Sequence, residues 1–214
     1  MAKKEKKAVE NEKVLIEIPS IKKGRLRMTI QGDTYLMVNN FSDAAKEKMV
    51  RKQLGKAQEL DGPRDPEKEF QDSLYKMSKN RYGIKAMALK KAGVRACSFV
   101  KGIPMTKAMG AFHVIEQEQG LVEVLPASKN DPTMDTRITK IGPYKIPHTR
   151  YRGIFRPGWK ISFEVRYNAN TITPAQLYNL FNNAGFSTGI GEYRPDRSGN
   201  LGLFSVVLGK QKQD

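Results

Sequence analysis

The sequence predicts an α+β protein of ferredoxin-like type: an antiparallel sheet with helices on one face and a helical insertion. Three observations predict it. Two segments, Arg25 to Ile30 and Lys160 to Tyr167, alternate in character with period two, as half-buried strands do. A helix with a full set of start signals follows the second of these segments. Two further helical patterns lie between about 65 and 100, inside a chain whose two ends read as strands.

Residues 1–13 are rich in Lys and Glu and read as a disordered basic tail. Val14 to Ile18 is a short strand candidate. In Arg25 to Ile30 the apolar Leu26, Met28 and Ile30 share one face, and Arg25, Arg27 and Thr29 share the other. Tyr35 to Val38 is a further short strand. Ser42 is a good N-cap for a helix running to about Leu54, and the stretch from Gly55 to Arg64 is polar. Asp65-Pro66-Glu67 is a strong helix start, with Phe70, Leu74 and Met77 as its apolar stripe. A second helix from about Lys85 to Val100 turns Met87, Val94 and Cys97 inward and Lys90, Lys91 and Arg95 outward.

Gly110 to Ile115 and Leu121 to Leu125 read as strands, Pro126 to Met134 as a loop, and Thr136 to Ile141 as a strand. Pro143 to Gly158 has little regular period and reads as a connection. It interleaves Tyr144, Lys145, His148, Arg150, Tyr151, Arg152, Phe155 and Arg156. In Lys160 to Tyr167 the inward face is Ile161, Phe163 and Val165. Thr173 then caps a helix, Pro174 takes its first position, and Gln176 completes a capping box. Leu177, Leu180, Phe181 and Ala184 form its stripe, and Gly185 is the expected left-handed stop. Leu203 to Leu208 closes the chain as a strand. The reading is a single domain over 14–208, with an insertion at about 42–100 and a tail at 209–214.

Between the last helix and the last strand, Gly185 to Phe204 carries five glycines, two arginines and three aromatics, Tyr193 among them. Glycine lets a backbone approach a ligand closely, and arginine matches phosphate with a planar fork. A long hairpin whose glycines only serve turns accounts for the same residues. The net charge of +16 and a pI near 9.9 concern partners, and nucleic acid is the first candidate. Aromatics stack on bases while Arg and Lys meet phosphates.

Strand, capped helix, Gly189-Ile190-Gly191-Glu192-Tyr193-Arg194-Pro195 and Gly199 to Phe204 resemble a family of uncharacterised bacteriophage proteins. More distantly, Gly189, Gly191, Gly199 and Gly202 are similar to the glycine-rich ending of the RAMP superfamily. That superfamily includes backbone and RNA-processing subunits of CRISPR effector complexes. The resemblance implies an RRM-like fold, a glycine-rich loop near RNA, and self-association along a strand. The chain departs from that pattern at Glu192 to Pro195 and shows no second repeat.

Several classes of chemistry lack their residues. Cys97 is the single cysteine, so an intrachain disulfide and a thiolate metal cluster are excluded. Only His113 and His148 are available as imidazole ligands, and no spacing suits a metal or a cofactor. No phosphate-binding loop or nucleophile elbow is present. No run of about 18 apolar residues suggests a membrane span. A cytoplasmic setting fits the cysteine usage.

The expectation is therefore a non-catalytic binder of single-stranded RNA or DNA, able to self-associate, with no cofactor. The predicted contact residues are Lys145, Arg150, Tyr151, Arg152, Arg156, Gly189, Gly191, Tyr193, Arg194 and Arg197. The rival readings are a metal-independent RAMP-type endoribonuclease, using His148 with Tyr151 or Lys145, and a phage structural or protein-interaction component.

Overall fold

The computed structural model describes residues 20–41, 43–56, 63–141 and 143–207. The expected basic tail, the strand at 14–18, the Ser42 cap, Leu208 and the tail at 209–214 lie outside the described residues.

A four-stranded antiparallel sheet forms the centre, in the order β10-β1-β9-β5: β10 (Phe204–Val207), β1 (Lys23–Gly32), β9 (Lys160–Asn168) and β5 (Phe112–Ile115). Two helices cross over it, α3 (Ala86–Ala96) after β1 and α5 (Pro174–Ser187) after β9. Taken as strand, helix, strand, strand, helix, strand with the last strand beside the first, this is the ferredoxin-like topology. The period-two residues decide the faces. Met28, Ile30, Ile161, Phe163 and Val165 are buried beneath the helices, where they meet Leu89, Leu177, Leu180 and Phe181. Phe181 packs edge-on against Phe112 and at a tilt against Phe163.

The α5 start is built as its sequence dictates. The Thr173 hydroxyl accepts from Gln176 N, and Gln176 Oε1 accepts from Thr173 N at 2.9 Å. Its end differs from expectation. The helix continues to Ser187, and the left-handed residue is Gly189, at φ 64°. Gly185 lies inside the helix because β10 passes against it: a Cβ there would overlap the carbonyl of Phe204.

Two insertions decorate the centre. Between β1 and α3 lie β2 (Leu36–Val38), α1 (Asp43–Gln53), α2 (Pro66–Ser73), β3 (Lys76–Met77) and β4 (Arg81–Lys85). The helix expected over 85–100 is thus not part of an insertion; it is the first crossover helix of the central fold. Asp65 caps α2 through Oδ1, which accepts from Glu67 N and Lys68 N. Phe70, Leu74 and Met77 are buried as expected, although the helix stops at Ser73. Met87, expected inside, is 55% exposed.

Between β5 and β9 lie β6 (Leu121–Glu123), β7 (Thr133–Ile141) and β8 (Ile146–Phe155), with α4 (Met105–Ala111) preceding β5. β7 and β8 form a long antiparallel hairpin that joins β2 in a three-stranded sheet of order β2-β8-β7. The segment expected as an irregular connection is therefore a strand. Its charged residues hide the period, because most of the hairpin stands clear of the core.

Candidate nucleic-acid interface

The hairpin register gives each face its chemistry. Paired residues share a face, so Asp135, Arg137 and Thr139 lie with Arg152, Arg150 and His148. Met134, Thr136 and Ile138 lie with Gly153, Tyr151 and Thr149 on the opposite face. Arg137 stands directly across from Arg150. Like charges set opposite one another oppose strand pairing. Asp135 relieves this in part, its carboxylate 2.6 Å from Arg137 Nε. The Arg137 guanidinium also lies over the Tyr193 ring, 4.9 Å from its centroid.

The glycine-rich loop reaches this face by joining β2. Glu192 N donates to the Met37 carbonyl at 2.9 Å, and Gly202 N donates to that of Tyr35 at 2.7 Å. Gly191, at φ 81°, fits because a Cβ would overlap the Met37 carbonyl. Gly189 and Gly191 were expected to let the backbone approach a ligand. Their missing side chains make room for the chain itself, though their backbone lines a groove wall.

One network ties loop, hairpin and β2 together. Arg152 Nε lies 2.8 Å from Glu192 Oε2, Arg152 Nη1 donates to Asn39 Oδ1, and Asn39 Nδ2 donates to Glu192 Oε1 at 2.8 Å. The Arg152 side chain is only 12% exposed. Burial pushes its guanidinium below the ordinary value, and Glu192 works against that shift. Arg152 therefore braces the loop and β2 against the hairpin, where a free phosphate contact was expected.

Asn39 lines two adjoining grooves. The larger, about 730 Å³, runs between α3 and the glycine-rich loop. Lys85, Lys90, Lys91 and Arg95 line it from the α3 side, and Arg194 and Asp196 from the loop. Arg95 and Arg194 both approach the Asp196 carboxylate, at 2.8 and 3.4 Å. The smaller groove, about 370 Å³, carries His148 and Arg150 on one wall and Glu69 and Asp72 on another. After pairing, the cationic surplus rests on Lys85, Lys90, Lys91 and Arg150.

The remaining expected residues fall in different places. Lys145 is exposed in the turn of the hairpin, beside Tyr144. Tyr151 turns to the other face, where the Arg64 guanidinium lies 5.6 Å from its ring centroid. Tyr151 and His148, paired in the ribonuclease reading, both line the smaller groove. Arg156 reaches the buried Asp131 at 3.4 Å, away from the loop. Arg194 donates to the Gly191 carbonyl at 3.0 Å and stays partly open, and Arg197 is exposed. Tyr193 holds a left-handed backbone at φ 53°, uncommon for a bulky residue. Its carbonyl accepts from Leu201 N at 2.9 Å. His113, expected to be packed, is exposed, with Nδ1 3.0 Å from Lys90 Nζ.

Arg137 and the cations of α3 complete the arrangement that sequence reasoning assembled only in part. The face of the central sheet away from the helices is also basic, with Lys23, Arg25, Arg27, Lys160 and Arg166 beside Glu164. Among the described residues its strands bear no Phe, Tyr or Trp on that face, and His113 stands across from Arg166 on it. Among the described residues no group of three or more His, Cys, Asp or Glu could hold a metal ion, and no helix is long and apolar enough to cross a membrane.

Neither a protein-family model nor a curated protein matches the chain. Among solved structures the chain is similar to Cmr6 from Pyrococcus furiosus. The identity is 11%, over 87% of this chain and 98% of that one, with a TM-score of 0.44. A chain of the Type III-B Cmr-beta complex bound to cognate target RNA is similar at 11% identity over 87% of this chain, with a TM-score of 0.49. This chain spans 60% of the length of that second one.

Proposed function

We propose that the protein binds single-stranded nucleic acid without catalysing a reaction on it, along the basic hairpin face and the groove beside α3. The observation that carries the reading is the Arg137–Arg150 cross-strand pair next to Tyr193. Two cations facing each other on an exposed hairpin cost stability, and a phosphate between them removes that cost. Tyr193, 37% exposed and held in an uncommon backbone conformation, offers a ring to a base. Lys85, Lys90 and Lys91 extend the cationic track, and the net charge of +16 draws a polyanion toward it. Both RNA and DNA supply the phosphates and bases such a track uses. The bacteriophage resemblance suggests a phage-encoded role in a host cytoplasm.

The test is a titration of labelled single-stranded RNA and DNA over a salt series. Affinity falls steeply with salt for a track of several phosphate contacts. Arg150→Gln lowers the salt slope by about one, and the doubly substituted Arg25→Gln/Arg27→Gln protein leaves it unchanged. Absence of binding at low salt overturns the proposal. Loss with the β1 pair but not with Arg150 moves the site to the central sheet.

A further inference from the structure

β7 ends its sheet, and its nine residues make it the longest edge among the described strands. Every other strand that ends a sheet has four residues or fewer. Among the described residues no backbone hydrogen bond joins β7 to anything but β8. In an antiparallel pair every second residue turns its N–H and C=O outward, so this edge offers a ladder of groups that have no backbone partner among the described residues. Met134 and Ile138, 38% and 75% exposed, sit on one face of it.

The residues along that edge are Thr133-Met134-Asp135-Thr136-Arg137-Ile138-Thr139. Read outward from Thr136 they complement themselves. Asp135 mirrors Arg137, Met134 mirrors Ile138, and Thr133 mirrors Thr139. An antiparallel pairing of two such strands about a two-fold axis at Thr136 sets each acid against a base and each apolar side chain against another. The existing Asp135–Arg137 pair, at 2.6 Å, then becomes half of a square of four charges alternating in sign. Moving the axis to Asp135 or to Arg137 sets like charge against like. A register in between would pair side chains from opposite faces, which the pleat forbids. Only the register centred on Thr136 sets both Asp135 and Arg137 against opposite charge.

We infer that β7 is a self-pairing edge, and that its partner is β7 of a second copy of this chain. The two three-stranded sheets join into one of six strands. An axis perpendicular to that sheet keeps faces together, so the Arg137, His148 and Arg150 faces of both copies lie side by side. This is a closed two-fold dimer, distinct from open-ended self-association along a strand. The inference stands on the edge alone and holds whether or not the protein binds nucleic acid.

Sedimentation velocity of the full chain, freed of nucleic acid, tests it over a micromolar concentration series. The wild type shifts from 24.2 kDa toward twice that mass. Asp135→Arg and Arg137→Asp each turn two attractive cross-strand pairs into repulsive ones and weaken dimerisation by roughly tenfold or more. Mixing the two variants restores the dimer. One variant then carries only basic side chains at positions 135 and 137 and the other only acidic ones, so every charge meets its opposite across the axis. Recovery in the mixture also shows that neither variant is misfolded. A wild type that stays at 24.2 kDa overturns the inference. So do single reversals that dimerise like the wild type, or a mixture that stays monomeric while both variants are folded by circular dichroism.

Discussion

Replacing Glu192 with Ala removes the acid at the centre of the Arg152–Asn39–Glu192 network. The Arg152 guanidinium is left without its carboxylate in a position only 12% exposed, and Asn39 Nδ2 loses its acceptor. Removing one member of a fully buried ion pair costs about 3–5 kcal/mol. Glu192 keeps 29% exposure, so water reaches the vacated space and screens part of that penalty. An exposed pair contributes about 0–1 kcal/mol. The network lies between these limits, and about 2 kcal/mol is expected. With an m-value of about 2 kcal/mol per molar urea the unfolding midpoint falls by about 1 M. Glu164→Ala is the control: its partner Arg166 is 3.3 Å away, both side chains are well exposed, and the expected change is below about 0.5 kcal/mol. Combining Glu192→Ala with Arg152→Met should recover part of the loss, since the unpaired charge goes too. A Glu192→Ala midpoint no lower than that of the control refutes the claim that Arg152 is a structural residue.

Tyr193→Asn separates stacking from folding. Asparagine tolerates the left-handed backbone, so urea stability stays within about 1 kcal/mol while affinity for single-stranded oligonucleotide falls roughly tenfold. Gly185→Ala reverses the sign that helix propensity gives. Propensity alone would stabilise by about 1 kcal/mol. The overlap with the Phe204 carbonyl instead costs about 1–3 kcal/mol, read as a lower melting temperature. Glu118 sets an acid-limb prediction. The Ser78 hydroxyl and backbone N–H, each 2.7 Å away, hold its carboxyl below the usual range. Its contribution is present above the unfolded value of about 4.3 and is lost as pH falls through the lower folded value. Glu118→Gln therefore flattens the decline of urea midpoints on that limb.

The central fold was legible because its elements carry their own signals. Leu26, Met28 and Ile30 alternate, and so do Ile161, Phe163 and Val165; Thr173 to Gln176 closes a capping box with no outside help. β8 was not legible. It has one strongly buried end, Gly153 to Phe155, and seven residues that stand in partial or full solvent, so no apolar period marks it. The same gap hid the candidate site. Arg150 was a candidate from its neighbours in sequence, but its pairing with Arg137 depends on a register that only the three-dimensional ladder defines. Arg152 shows the converse error. Sequence places it with Arg150 and Arg156 as one basic cluster, yet Glu192 and Asn39, distant in the chain, convert it into a buried strut.

On the proposed reading, binding rests mostly on what is added to the central sheet. The central sheet supplies two crossover helices and a core, and one of those helices, α3, offers Lys90, Lys91 and Arg95 to the larger groove. Everything else at the proposed interface is added material: the β7–β8 hairpin, the β2 extension that ends at Asn39, and the glycine-rich loop that pairs with β2. The loop's glycines fit it against β2, which fixes Glu192 under Arg152 and sets Tyr193 beneath Arg137. Their part in the proposed binding is therefore indirect. They position one acid and one ring, and the hairpin supplies the cations. A substitution at Gly191 should thus weaken binding through the displaced Tyr193, in parallel with a loss of stability. Arg150→Gln should weaken binding while the unfolding midpoint holds or rises slightly, since the repulsion across from Arg137 goes with it.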